Sequence, residues 1–121
     1  MSICIIAAGK TTALAGAAFT LAWTHSVEKT QWQEDWMVTP AGLTVVAARI
    51  EGSGAGMEPP AGAVLKNGWW SYVPHMKPQR KLVLAASGAT GAGWTLCVRN
   101  DCVVIGAESG GPAVVTACNG H

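Results

Sequence analysis

Phe19-Thr-Leu-Ala-Trp-Thr-His-Ser-Val-Glu-Lys-Thr-Gln-Trp-Gln-Glu-Asp-Trp36 holds three of the chain's six tryptophans and three of its seven acidic residues. Its apolar residues recur every second position. Phe19, Leu21, Trp23, His25 and Val27 alternate with Thr20, Ala22, Thr24, Ser26 and Glu28. A period of two places each set on its own face of a β-strand. Past Lys29 the alternation resumes, with Trp32, Glu34, Trp36 and Val38 opposed to Gln31, Gln33, Asp35 and Met37. The stretch reads as an antiparallel hairpin turning near Lys29. His25 and Glu34 are the polar members of otherwise apolar faces. A buried charge is costly without a partner, so a cross-strand His25–Glu34 hydrogen bond is expected.

Outward from this hairpin, short strands continue in both directions. Ser2–Ala8 is an apolar run ending at Gly9, and the alanine-rich Thr11–Ala18 reads as a strand folding back on it. Thr39-Pro40-Ala41-Gly42 has Pro and Gly where a turn needs them, and Leu43–Ile50 then pairs with the strand carrying Trp36. Asn67-Gly68, between Ala63–Lys66 and Trp69–Val73, is the residue pair preferred by a type I′ turn. Lys81–Ala86, Trp94–Cys97, Cys102–Ile105 and Ala113–Cys118 complete the series. No run of ten residues has helical periodicity. The expectation is a single all-β domain over residues 1–121, an antiparallel β-sandwich or small barrel of about nine short strands.

Composition narrows the function classes. Half of the 121 residues are hydrophobic and 12% are charged, so a core can form. The net charge of +1 comes from scattered basic residues, which gives no nucleic-acid footprint and no polybasic membrane patch. No stretch reaches the roughly 20 apolar residues of a membrane span. The apolar first residues resemble a secretory signal only loosely. No basic residue precedes them, Lys10-Thr11-Thr12 interrupts them, and they are read as native strands.

Cys97 and Cys102 flank Val-Arg-Asn-Asp, a four-residue hairpin loop that would set them opposite each other, about 4.5–5.5 Å apart. Cys4 and Cys118 lie toward the two ends. Of the three possible pairings, Cys97–Cys102 with Cys4–Cys118 is expected. A zinc site is the rival, but the spacing is not C-x₂-C. Paired cysteines imply an oxidising compartment, the periplasm or envelope of a bacterium.

Trp23-Thr24-His25-Ser26-Val27-Glu28, the downstream Glu34 and Gly54-Ala55-Gly56-Met57 together resemble a bacterial family catalogued as a domain of unknown function (number eighteen-fifty). The likeness extends to Gly68-Trp69-Trp70, Leu84-Ala85-Ala86-Ser87-Gly88 and the Cys97/Cys102 pair. It implies a small envelope protein without known enzymatic activity or cofactor, encoded beside tripartite (TRAP-type) transporters of the TAXI class. Many members begin with a hydrophobic export or anchor segment, whereas this chain starts almost on its first strand. The transporter's membrane subunit or its solute-binding protein are the implied partners. Carried onto this sequence, the family motif marks His25, Ser26, Glu28, Glu34, Gly54 and Gly56.

Three readings of these residues compete. In the first, Trp23, His25, Ser26, Glu28 and Glu34 of the hairpin join Gly54, Gly56 and Glu58 of the glycine loop in a non-enzymatic binding surface. Tryptophan suits such a surface because it joins an apolar body to a polar edge, although it suits core packing equally. In the second, His25, Ser26 and a carboxylate form a hydrolase. Neighbouring strand residues point to opposite faces, so His25 is badly placed to activate Ser26, and no GxSxG elbow exists. In the third, Glu28, Glu34, Asp35 and Glu58 gather round a calcium ion, without any calcium-loop motif. The glycine loop lacks both the P-loop and the dinucleotide fingerprints, which leaves close backbone approach or anion capture by its N–H groups. His75 and His121 read as exposed.

Overall fold

A computed structural model describes residues 1–24, 30–52, 61–85, 93–106 and 110–118. They form eleven strands: β1 (Ser2–Ala7), β2 (Lys10–Ala15), β3 (Ala18–Thr24), β4 (Gln31–Thr39), β5 (Gly42–Glu51), β6 (Val64–Lys66), β7 (Trp69–Tyr72), β8 (Lys81–Leu84), β9 (Trp94–Val98), β10 (Asp101–Ile105) and β11 (Ala113–Ala117). All pairings are antiparallel, in a four-stranded sheet of order β2-β1-β11-β8 and a seven-stranded sheet of order β10-β9-β3-β4-β5-β7-β6. The all-β sandwich expected from the sequence is what forms. Its eleven strands fall on the eleven segments read as strands from the sequence, two more than the rough count of nine.

Alternation explains the core. Ile3 and Ile5 of β1, Val115 of β11 and Leu84 of β8 turn inward from the smaller sheet. Phe19, Leu21, Trp36, Leu43, Val45, Leu96 and Val98 meet them from the larger one. On β5 the alternation changes phase. Asp35 pairs with Ala47 but Trp36 pairs with Val45, which leaves Val46 as the extra residue of a β-bulge. Leu43, Val45, Ala48 and Ile50 are therefore all buried. Strict alternation from Leu43 would have sent Arg49 into the core.

The turns follow local chemistry. Asn67 and Gly68 have φ of 54° and 83°, as a type I′ turn requires. Gly42 holds φ 129°, and a Cβ there would lie 2.6 Å from the Gln79 carbonyl oxygen. That closeness allows the Leu43 and Gln79 backbones to exchange hydrogen bonds of 2.7 and 2.8 Å, which ties the large sheet to the segment entering β8.

Both expected disulfides are formed. Cys4–Cys118 spans Cα atoms 5.1 Å apart, and Cys97–Cys102 spans 4.1 Å. The second hairpin is tighter than the sequence reading had it. Val98 and Asp101 extend the strands, so the loop is Arg99-Asn100 and not four residues. Arg99 takes φ 56° to close it. Among the described residues no helix is long and apolar enough to cross a membrane.

Candidate functional site

The register of the large sheet assembles the candidate site on its core-facing side. Directly paired residues of antiparallel strands share a face. Leu96, Leu21, Glu34, Ala48 and Tyr72 are paired in sequence across β9, β3, β4, β5 and β7. Two residues along, Trp23 pairs with Trp32, Trp32 with Ile50, and Ile50 with Trp70. Trp94 joins this row by packing on Trp23, with ring centroids 4.8 Å apart, and Trp32 stacks on the same ring at 6.0 Å. Four of the six tryptophans thus form one row beside Glu34. Trp23 and Trp94 lean on the apolar core, and the Trp94 indole donates to the Ala85 carbonyl at 3.0 Å.

Glu34 is the one carboxylate the described residues place on this face. Its Oε1 accepts a 3.0 Å hydrogen bond from Trp36 Nε1, two residues along the same strand. Burial raises the Glu34 pKa above its ordinary value, and the Trp36 bond only partly offsets that. Among the described residues no cationic side chain faces it. Tyr72, in the same row, has its phenol pKa raised by burial and by the Glu34 charge. Two further polar atoms at this end of the sheet, Thr30 Oγ1 and Trp70 Nε1, are buried with no hydrogen-bond partner among the described residues. Trp32, Glu34, Trp70 and Tyr72 are each partly exposed, so the row is neither sealed core nor open surface.

The opposite face of the same strands is built differently. Arg49 grips Asp35 through two hydrogen bonds, Nη1 to Oδ2 at 2.9 Å and Nη2 to Oδ1 at 3.0 Å. Thr20 donates to Asp35 Oδ1, and Arg49 Nε donates to Gln33. Arg49 is the main reason the Asp35 pKa is lowered. Beside this pair lies an open depression of about 590 Å³, lined by Thr20, Met37, Val46 and Cys97 among others. The one carboxylate among its described lining residues is already neutralised by Arg49, which makes the tryptophan face the better candidate.

The structure places the predicted residues unevenly. Trp23 and Glu34 share the core-facing side as expected. His25, Ser26, Glu28, Gly54, Gly56 and Glu58 lie outside the described residues. The expected His25–Glu34 pairing involves a residue outside the described ones; within them, Leu21 lies opposite Glu34 and the Glu34 carboxylate accepts from Trp36. Of the calcium grouping, Glu34 and Asp35 face opposite sides of the sheet, and Glu28 and Glu58 lie outside the described residues. Among the described residues no three His, Cys, Asp or Glu side chains cluster. His75 is exposed as expected.

Tyr72, Trp70, Trp94 and Thr30 were not singled out from the sequence. Their signal lay in the pairing of β5 with β7 and of β3 with β9, which no local pattern encodes. Gly52 donates to the Gly68 carbonyl at 3.0 Å, which fixes the point where the chain leaves β5 towards the glycine loop.

Nothing among curated proteins or solved structures matches the chain. A family model described as a domain of unknown function (DUF1850) matches residues 19–105. The matched stretch runs from the second residue of β3 to the last of β10, and so supplies the large sheet and β8, while β1, β2 and β11 fall outside it. The match covers well over half of the chain, and the protein belongs to the DUF1850 family of domains of unknown function.

Proposed function

We propose that the protein is a non-enzymatic binding module of the bacterial envelope, acting as an accessory to a tripartite transporter of the TAXI class. The observation that carries the binding part is Glu34. It is a half-buried carboxylate that no cationic side chain faces among the described residues, set beside a row of four tryptophans within the family-matched sheet. Burying such a group without a counter-charge destabilises the fold. A site that tolerates this cost has a use for the group, and a lone carboxylate framed by indoles is suited to holding a ligand or partner. The two disulfides support an oxidising compartment. The transporter part rests on the family resemblance.

The test is co-purification with the permease and the solute-binding protein encoded beside it, comparing wild type with Glu34→Gln and Glu28→Gln. Capture by wild type and loss in either variant supports the reading. Failure of the wild-type protein to capture a folded permease or its solute-binding protein overturns the transporter part.

A further inference from the structure

We propose that the Cys97–Cys102 bridge is a thiol–disulfide exchange site, at which the dithiol of a partner protein attacks the exposed sulfur of Cys102. The inference stands apart from the binding reading of the tryptophan face and from the transporter.

Exchange asks three things of a bridge. A thiolate must reach one sulfur, the fold must survive the opening, and the freed thiols must stay close enough to join again. The two bridges of this protein differ on each. Cys102 is exposed, on β10, the end strand of the large sheet. Cys97 is partly buried on β9, between β10 and β3. Cys4 and Cys118 are both partly buried. An incoming thiolate therefore meets Cys102 first.

Opening has unequal consequences. Cys97 and Cys102 are directly paired on strands joined by the Arg99-Asn100 turn. The neighbouring pairs Val98–Asp101, Leu96–Val103 and Thr95–Val104 hold this hairpin whether or not the sulfurs are joined, and β9 is also held by β3. With a sequence separation of 5, the bridge restricts the unfolded chain far less than Cys4–Cys118 does with 114. The longer bridge ties the first strand to the last, where an untied chain end frays. Strand pairing keeps Cys97 and Cys102 opposite each other, with Cα atoms 4.1 Å apart, so oxidation restores the same bond.

The exchange balances in two steps. The partner's thiolate attacks Cys102 Sγ, the bond to Cys97 breaks, and its electron pair leaves on Cys97 Sγ, which takes a proton from water. The partner's second thiolate then attacks the partner sulfur of the mixed disulfide and releases Cys102 as a thiolate. The partner ends oxidised by two electrons as a disulfide, and Cys97 and Cys102 end reduced as two thiols. A dithiol completes both steps within one complex. A monothiol needs a second molecule, which an oxidising compartment does not supply freely.

The test treats the oxidised full chain with dithiothreitol, samples it over time and blocks free thiols with iodoacetamide. Trypsin cuts after Arg99, so Cys97 and Cys102 fall on different peptides and mass spectrometry reads them separately. Cys97–Cys102 should open at least about tenfold faster than Cys4–Cys118. The half-reduced protein should keep its circular dichroism and a cooperative melt. A thioredoxin whose second active-site cysteine is replaced by serine should be captured as a mixed disulfide on Cys102.

Opening of both bridges at one rate, or of Cys4–Cys118 first, overturns the proposal. So does unfolding of the half-reduced protein. Capture of the thioredoxin on Cys97, or no capture at all, overturns it equally.

Discussion

Glu34 and Asp35 are consecutive in the chain, lie on opposite faces of β4, and have their proton affinities shifted in opposite directions. Asp35 accepts three hydrogen bonds, two of them from a guanidinium. Glu34 accepts one from an indole and is desolvated. One peptide bond separates a carboxylate that is structurally satisfied from one that is left available.

The difference has a measurable sign. The folded pKa of Glu34 is raised, so in the window between 4.5 and that higher value the folded state binds more protons than the unfolded one. Stability from this group is present in acid and lost as pH rises through the window. Glu34→Gln keeps an acceptor for Trp36 and removes the charge. Urea denaturation should find the variant more stable than wild type at pH 7, with the difference vanishing below about pH 4.5. A variant less stable at pH 7 would mean that the carboxylate has a stabilising partner.

Asp35 behaves inversely. Its folded pKa lies below 3.8, because Arg49 donates to the ionised form. The stabilisation is complete above 3.8 and disappears as pH falls through the folded value. Both side chains are about a third exposed, at 28% and 35%, so the pair is screened. Asp35→Asn should cost about 1 kcal/mol at pH 7 and almost nothing in strong acid. Arg49→Lys retains the charge but loses the two-pronged grip, and should show most of the same loss.

The two disulfides should contribute unequally. Their loops span sequence separations of 114 and 5. Loop-closure entropy then gives about 4.8 kcal/mol for Cys4–Cys118 and about 2.1 kcal/mol for Cys97–Cys102. Replacing each pair with serine should lower the melting temperature much more for Cys4/Cys118. Equal losses would show that strand pairing already holds β1 beside β11 in the unfolded ensemble.

Two hairpins offer an internal comparison. Asn67-Gly68 and Ala8-Gly9 share left-handed backbone, with φ of 54° and 83° against 51° and 76°. Alanine is the poorer residue for such a position, whereas asparagine tolerates it. Ala8→Asn should therefore stabilise the protein by about 0.5 kcal/mol. Chemical denaturation checks it, with Asn67→Ala expected to lose a similar amount.

What could be read from the sequence was local. The alternation in Phe19–Trp36 located two strands and their faces, Asn67-Gly68 located a turn, and the Cys97/Cys102 spacing located a bridge. What could not be read was long-range or depended on a single inserted residue. The bulge at Val46 keeps Arg49 out of the core and brings it to Asp35, yet valine in a run of apolar residues carries no sign of it. The register that sets Leu21 opposite Glu34 could not be read from the alternation alone. Tyr72 reaches the Glu34 row only because β7 pairs with β5 across a long connection. Part of the candidate site was therefore visible as Trp23 and Glu34, while the residues that define its chemistry were not.

The Cys4–Cys118 bridge also sets how the domain carries mechanical load. β1 and β11 are neighbours, and the bond joins them where the chain enters one and leaves the other. A pull applied ahead of Cys4 and beyond Cys118 strains only the few backbone hydrogen bonds that Met1, Ser2 and Ile3 make with β2 and the end of β11, and then passes from sulfur to sulfur. Tension along the polypeptide leaves the tryptophan row undisturbed until the bridge is reduced, after which the same force would peel β1 away from β11.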